Sequence, residues 1–256
     1  MKSKILIEND VFSEDEQNPK NSSIVASKYF DVLEVNSLFD VDKFSNEKII
    51  FYRGSFAVSS FLRRDHKFFD KPSFFNCQNW VPPLKNYYIN RYYNFADMER
   101  CLDLNFPLFI RPCSGSKLFS GQLFTSKDNF NTEYTFTTVN RNISKYEMCL
   151  YSKPKKIVEE YRCVFVDKQL VAACGYLKDG ERYDFACPKN AIDLANTISK
   201  SSYFDIPNFV IDICKDSDDN FFLLEINSIN NASFYTCDLH AIYESLSEYF
   251  NSTNYP

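Results

Sequence analysis

The stretch NFVIDICKDSDDNFFLLEIN, residues 208–227, constrains the fold most tightly. Two apolar runs, 209–214 and 221–226, flank the polar segment Lys215-Asp216-Ser217-Asp218-Asp219-Asn220, the pattern of a β-hairpin. Successive side chains on a strand point to opposite faces. Phe209, Ile211 and Ile213 therefore share one face of the first strand, and Asp212 stands on the other, between Val210 and Cys214. On the second strand Glu225 and Asn227 share a face with Leu223. Closing the hairpin sets Asp212 opposite either Leu223 or Glu225, and two carboxylates and an amide gather on one side of the ribbon. Like charges in a half-buried sheet repel, and a buried charge without a partner is costly. The three side chains are either the wet face of an antiparallel sheet or the oxygen ligands of a hard cation. Mg²⁺ takes one or two carboxylates and fills its shell with waters and substrate phosphates.

Composition narrows the field. A chain of 256 residues, 45% hydrophobic and 25% charged, has the make-up of a soluble globular protein with room for two or three small subdomains. Its net charge of −5 argues against non-specific nucleic-acid binding and against an anionic membrane surface. No apolar run approaches the roughly 20 residues of a membrane span. MKSKILIEND lacks the apolar stretch of a secretory signal, so the expected setting is the cytoplasm. The 9 cysteines are odd in number and have no CxxC spacing, which suits reduced thiols. With only His66 and His240, a histidine-dependent hydrolase has little support.

Taken in order, residues 4–8, 31–35 and 48–52 read as strands, with short helices between them, which predicts a small parallel α/β domain over roughly residues 1–80. Arg53-Gly54-Ser55 falls at the end of the third strand, where such sheets bind ligands; it is either a plain turn or a substrate contact. The aromatic segment 65–95 reads either as a crossing packed by its rings or as rings that, interleaved with Lys85 and Arg91, stack nucleobases. Helical spacing of Phe95, Met98, Cys101 and Leu102 predicts a helix over 95–104. A buried strand over 106–112 runs into Cys113-Ser114-Gly115-Ser116-Lys117-Leu118-Phe119-Ser120-Gly121. Arg111, Lys117, two glycines and backbone N–H groups can cradle a phosphate there, although a Ser/Gly loop with two basic residues also suits an ordinary surface. A helix is predicted over 128–142, a strand over 146–151 and a bend at 153–155. Residues 157–166 and 170–176 form a second hairpin, placing Glu160 and Arg162 on one face, where they can simply pair. Helices over 188–201 and 238–250 complete the reading, the last with Asp238 at its N-cap.

In this order and at these separations, FIRPCSGSKLFSG, EYRCVFVDKQLVAACGY and the pattern Asp212–(twelve residues)–Glu225–x–Asn227 resemble the ATP-grasp superfamily. Arg111-Pro112, where most members carry Lys-Pro, followed by Lys117, resembles a clade of short ATP-grasp proteins named for one arginine and two lysines. That clade is common in phages, large viruses and some bacteria. The resemblance covers roughly residues 106–250. It implies an ATP-grasp fold of mixed α+β and α/β character, with a preATP-grasp-like α/β domain over 1–95 and an ATP-grasp domain over 96–256. Within the latter, 96–150 would be the small nucleotide-clamping subdomain and 151–256 the metal-binding subdomain, with ATP enclosed between them.

The resemblance also assigns roles. Arg111, Ser114, Gly115, Ser116, Lys117 and Gly121 would hold the phosphates of ATP, and Cys149, Leu150, Tyr151, Ser152 and Lys153 would lie beside the adenine. Lys153 and Lys155 are the candidates for the second lysine. Glu160 would contact the nucleotide and Arg162 the transferred phosphate or a substrate carboxylate, so that Arg162, Arg111 and Lys117 form the catalytic set. Asp212, Glu225 and Asn227 would hold Mg²⁺, and Arg53, Asn231, Ser233 and Tyr235 would approach the acceptor. The implied activity is carboxylate–amine (or thiol) ligation through an acylphosphate, on an amino acid, peptide or protein terminus. The rivals are a kinase-like or nucleic-acid end-processing enzyme, and a nucleotide-binding module without turnover.

Overall fold

Strand β1 (Lys4–Glu8) buries Ile5, Leu6 and Ile7 completely or nearly so, which an edge strand with one wet face would not do. It lies between β2 (Asp31–Val35) and β3 (Ile49–Arg53), and both pairings are parallel, as expected of the first part of the chain. Helix α1 (Asn21–Ala26) precedes β2, and α2 (Phe56–Asp65) follows β3. The structure is a computed structural model that describes residues 2–9, 11, 21–44, 46–65, 72–115 and 118–252.

The chain forms two compact units, one built from Met1–Asp70 with Val158–Pro256 and the other from Lys71–Ile157. Besides the parallel sheet, the first unit holds a five-stranded sheet of order β10-β9-β8-β11-β12. Strands β8 (Ile157–Val166) and β9 (Gln169–Lys178) form the expected antiparallel hairpin, turning at Asp167 and Lys168, both with positive φ. Strands β11 (Phe209–Asp216) and β12 (Phe221–Asn227) form the other. The short edge strand β10 (Glu181–Phe185), mostly exposed, is not among the strands read from the sequence. Helices α6 (Lys189–Ser199) and α7 (Leu239–Ser252) follow the expected segments. Asp238 caps α7, its Oδ1 accepting from the backbone N–H groups of His240 and Ala241 at 2.9 and 3.1 Å. One core joins Ile5, Ile7 and Phe51 of the parallel sheet to Val164, Val166 and Val210 of the larger sheet and to Ile242, Tyr243, Leu246 and Phe250 of α7.

The second unit is a four-stranded antiparallel sheet of order β4-β7-β5-β6, made of β4 (Tyr93–Asp97), β5 (Leu108–Pro112), β6 (Gln122–Phe124) and β7 (Met148–Ser152). Its core gathers Met98, Ile110, Phe124, Phe130 and Cys149. The helix expected over 95–104 is corrected here. Phe95 and Ala96 pair with Leu150 and Cys149 in the sheet, and only one turn, α4 (Met98–Cys101), starts behind the cap Asp97. The spacing of Met98 and Cys101 is satisfied by that turn, while sheet pairing claims Phe95. The segment read as a crossing contains helix α3 (Cys77–Leu84), with Trp80 wholly buried and Pro82 and Pro83 in its last turn. Helix α5 (Lys127–Thr135), capped by Ser126, continues as a single π turn through Asn140. All nine cysteines are free thiols. Among the described residues no helix is long and apolar enough to cross a membrane.

Candidate active site

The register of the β11–β12 hairpin resolves the alternative left by the sequence: Asp212 lies opposite Glu225, with a bulge between Asp212 and Ile213. Strand β8, next to β11, brings Arg162 to the same place. Arg162 Nε donates to Asp212 Oδ1 at 2.8 Å and Nη2 to Oδ2 at 2.6 Å, a bidentate pair with side chains 3% and 0% exposed. Nη1 donates to the Ser233 carbonyl at 2.5 Å. Asn227 Nδ2 bridges the carboxylates, at 3.0 Å from Asp212 Oδ2 and 2.8 Å from Glu225 Oε1. A buried ion pair is tolerated when its remaining donors and acceptors are also met, and losing one partner costs about 3–5 kcal/mol. Burial works against the Arg162 charge, but the Asp212 carboxylate outweighs it and holds the guanidinium above its ordinary pKa.

Glu160 and Arg162 do not pair with each other. The Tyr176 hydroxyl donates to Glu160 Oε2 at 2.6 Å. Burial raises the Glu160 pKa; that hydroxyl opposes the rise, and the charges of Asp212 and Glu225 add to it. Tyr176 was legible in principle: Arg162 faces Cys174 across the β8–β9 hairpin, and alternation returns to that face two residues later.

Among the described residues no group of three or more His, Cys, Asp or Glu side chains is arranged to hold a metal. The set here has two carboxylates and an amide. Its donor chemistry nevertheless fits a hard cation. The Asn227 amide occupies a point facing both carboxylates, and turning it over would present Oδ1 there, an all-oxygen set of the kind Mg²⁺ takes.

The loop after β12 ties the site to the parallel sheet, a connection no local sequence pattern announces. Asn230 Nδ2 donates to the Tyr52 carbonyl at 2.7 Å, Gly54 N to the Asn230 carbonyl at 3.0 Å, and Asn231 Nδ2 to the Gly54 carbonyl at 2.7 Å. Arg53 is almost completely buried, donates to Ser22 Oγ at 3.1 Å and lies 4.2 Å from the centre of the Phe234 ring. Burial pulls its pKa down to about 10. Of the residues expected to approach the acceptor, Ser233 and Tyr235 thus meet Arg162, while Arg53 and Asn231 lie where the loop joins the parallel sheet. Tyr235, at φ 50°, stacks on Tyr176 with ring centres 4.3 Å apart and lies 4.6 Å from the Arg162 guanidinium.

The residues expected to meet ATP phosphates and adenine lie in the second unit. Arg111 on β5 faces Leu150 on β7, and Ile110 and Phe109 face Tyr151 and Ser152, so the arginine and residues 149–152 share one sheet. Arg111 lies 5.7 Å from the Trp80 ring centre. Gly121 has no room for a side chain: a Cβ there would stand 2.9 Å from Arg111 Cβ and 3.0 Å from Phe109 Cζ, so the loop returns directly against β5. Ser114 and Gly115 begin the loop, Lys153 and Lys155 are exposed beyond β7, and Ser116 and Lys117 lie outside the described residues.

Solved structures share this architecture at low sequence identity. D-cycloserine synthetase DcsG superposes with a TM-score of 0.63 at 11% identity, covering 96% of this chain and 98% of that one. The D-alanine–D-alanine ligase of Bacillus anthracis gives 0.56 at 14% identity, covering 98% and 94%. The ATP-grasp ligase PsnB, complexed with a minimal precursor, gives 0.56 at 12% identity, covering 96% and 98%. The fold is therefore ATP-grasp. The model of the ATP-grasp domain, R2K clade family 2, matches residues 88–245, and the chain belongs to that family. No curated protein sequence matches the chain.

Proposed function

We propose that this protein is an ATP- and Mg²⁺-dependent ligase that joins a carboxylate to an amine or thiol through an acylphosphate, on an amino acid, peptide or protein terminus. The observation that carries the reading is the buried Arg162–Asp212 pair with Asn227 bridging to Glu225. It fixes an arginine and a set of oxygen donors on one sheet face, which is what phosphoryl transfer needs from a protein that works by positioning and charge stabilisation. The activities named for D-cycloserine synthetase and D-alanine–D-alanine ligase agree with it. In the reaction a substrate carboxylate oxygen bonds to the γ-phosphorus as ADP departs; the nucleophile then bonds to the acyl carbon as phosphate departs. Asp212, Glu225 and Asn227 would hold Mg²⁺, whose part is to neutralise phosphate charge. Arg162, oriented by Asp212, would steady the transferred group. Arg111, Ser114, Gly115, Ser116, Lys117 and Gly121 would hold the phosphates, with 149–153 and Glu160 at the nucleoside.

The domain limits at 95 and 150, the cytoplasmic setting and the phage, viral or bacterial origin implied by the clade belong to the same proposal. The test is ATP turnover with pooled amino acids and peptides, followed by product mass. Glu225→Gln combined with Asn227→Ala is expected to abolish ADP release. Turnover near the wild-type rate in that variant would overturn the metal assignment, and a phosphorylated acceptor in place of a condensed product would make the protein a kinase.

A further inference from the structure

Arg182, on the edge strand β10, has no place in the motifs above. It is exposed, and its guanidinium lies 4.5 Å from the centre of the Tyr235 ring and 5.8 Å from that of Tyr176. Arg162 lies 4.6 Å and 5.4 Å from the same two rings. One stacked tyrosine pair therefore carries two guanidiniums, a buried one locked to Asp212 and an exposed one at the rim. Asp212 already matches the charge of Arg162, whereas the Arg182 guanidinium lies against the tyrosine pair at the exposed rim, where a ring-backed cation can meet a negatively charged group of a substrate. Tyr235 is held at φ 50°, a conformation that side-chain-bearing residues adopt at a cost, in the loop whose Ser233 carbonyl accepts from Arg162.

We propose that Arg182 determines specificity by anchoring a carboxylate of the acceptor, one tyrosine layer away from Arg162. This rests on the ligase reading and deepens it: the acceptor would have two functional ends, a nucleophile that reacts and a free carboxylate that binds. A flat guanidinium backed by an aromatic ring matches a planar carboxylate. Exposed Glu181 and Asp184 on the same strand favour a singly charged carboxylate over a more highly charged phosphate. Arg182 needs no part in bond making.

The experiment pairs free amino acids and dipeptides with their C-terminal amides as acceptors and follows ADP release and product mass. Wild-type protein, Arg182→Gln and Arg182→Lys are compared. Wild type is expected to favour the acid over its amide by about tenfold or more in kcat/KM, the worth of one charge-assisted hydrogen bond. Arg182→Gln should erase that preference by raising KM for the acid about tenfold, with kcat and the KM for ATP within about twofold of wild type. Arg182→Lys, keeping the charge without the fork, should recover part of it. A rise in KM for ATP with the acceptor preference intact would assign Arg182 to a phosphate and overturn the proposal, as would turnover indifferent to Arg182. Mg-ATP binding without turnover of any acceptor would overturn the ligase reading and this proposal together.

Discussion

Glu160 is an acid kept where its neutral form is favoured. Burial is the largest cause, the Tyr176 hydroxyl pulls the other way, and the charges of Asp212 and Glu225 reinforce burial. With a folded pKa above the ordinary 4.5, the native protein binds the extra proton in the interval between the two values. Stability from this group is therefore complete below the ordinary value and is lost as pH rises through the raised one. Glu160→Gln removes the titration while keeping an oxygen for Tyr176. Relative to wild type, the variant should gain stability as pH increases from about 4 towards 7, seen as diverging urea midpoints. A difference constant with pH would show that the carboxyl ionises equally easily in both states. At this scale the sequence revealed which polar residues were out of place in a sheet, Asp212, Glu225 and Asn227. It did not reveal their partners, because the bulge after Asp212 and the offset between β8 and β11 are properties of neighbouring strands.

Among the elements, β10 shows how an unpromising sequence becomes a strand. Four of its five residues are exposed, so nothing in its own pattern drives burial. It is held through Phe185, which stands opposite Gly175 on β9 and meets Tyr161 edge-to-face with ring centres 5.5 Å apart. A Cβ on Gly175 would come within 2.5 Å of Phe185 Cε2 and 2.6 Å of Cζ. Gly175→Ala should therefore expel the ring and loosen β10, costing about 1–3 kcal/mol. Denaturant melts would read the cost, and amide exchange over 181–185 the loosening. Adding Phe185→Ala should cost little more than Gly175→Ala alone, a coupling measurable in a double-mutant cycle. Full additivity would mean that the ring and the glycine act independently. The two hairpins were legible because in each a short polar turn separates two largely apolar runs. The helix expected over 95–104 failed because helical spacing over so few residues is also met by one turn behind a strand.

At the scale of the whole molecule, the first unit takes its core from both halves of the chain. Leu246 in α7 is completely buried in the cluster that contains Ile5 and Ile7 of β1. Leu246→Ala should cost about 2–5 kcal/mol, and protection of the β1 amides should fall together with that of α7. Protection of β1 unchanged while α7 exchanges freely would show that the two halves are separate cooperative units. The family layout could be read from ordered motifs, whereas the closing of β1 and β3 against α7 rests on contacts between residues far apart in sequence, which no local pattern encodes. That closure has a consequence for the newborn chain. Synthesis runs from the N-terminus, so Ile5, Ile7 and Phe51 leave the ribosome long before Ile242, Leu246 and Phe250 exist to cover them. The nascent chain must carry a sticky, half-lidded sheet through most of translation, and the first unit can close only once α7 has cleared the exit tunnel.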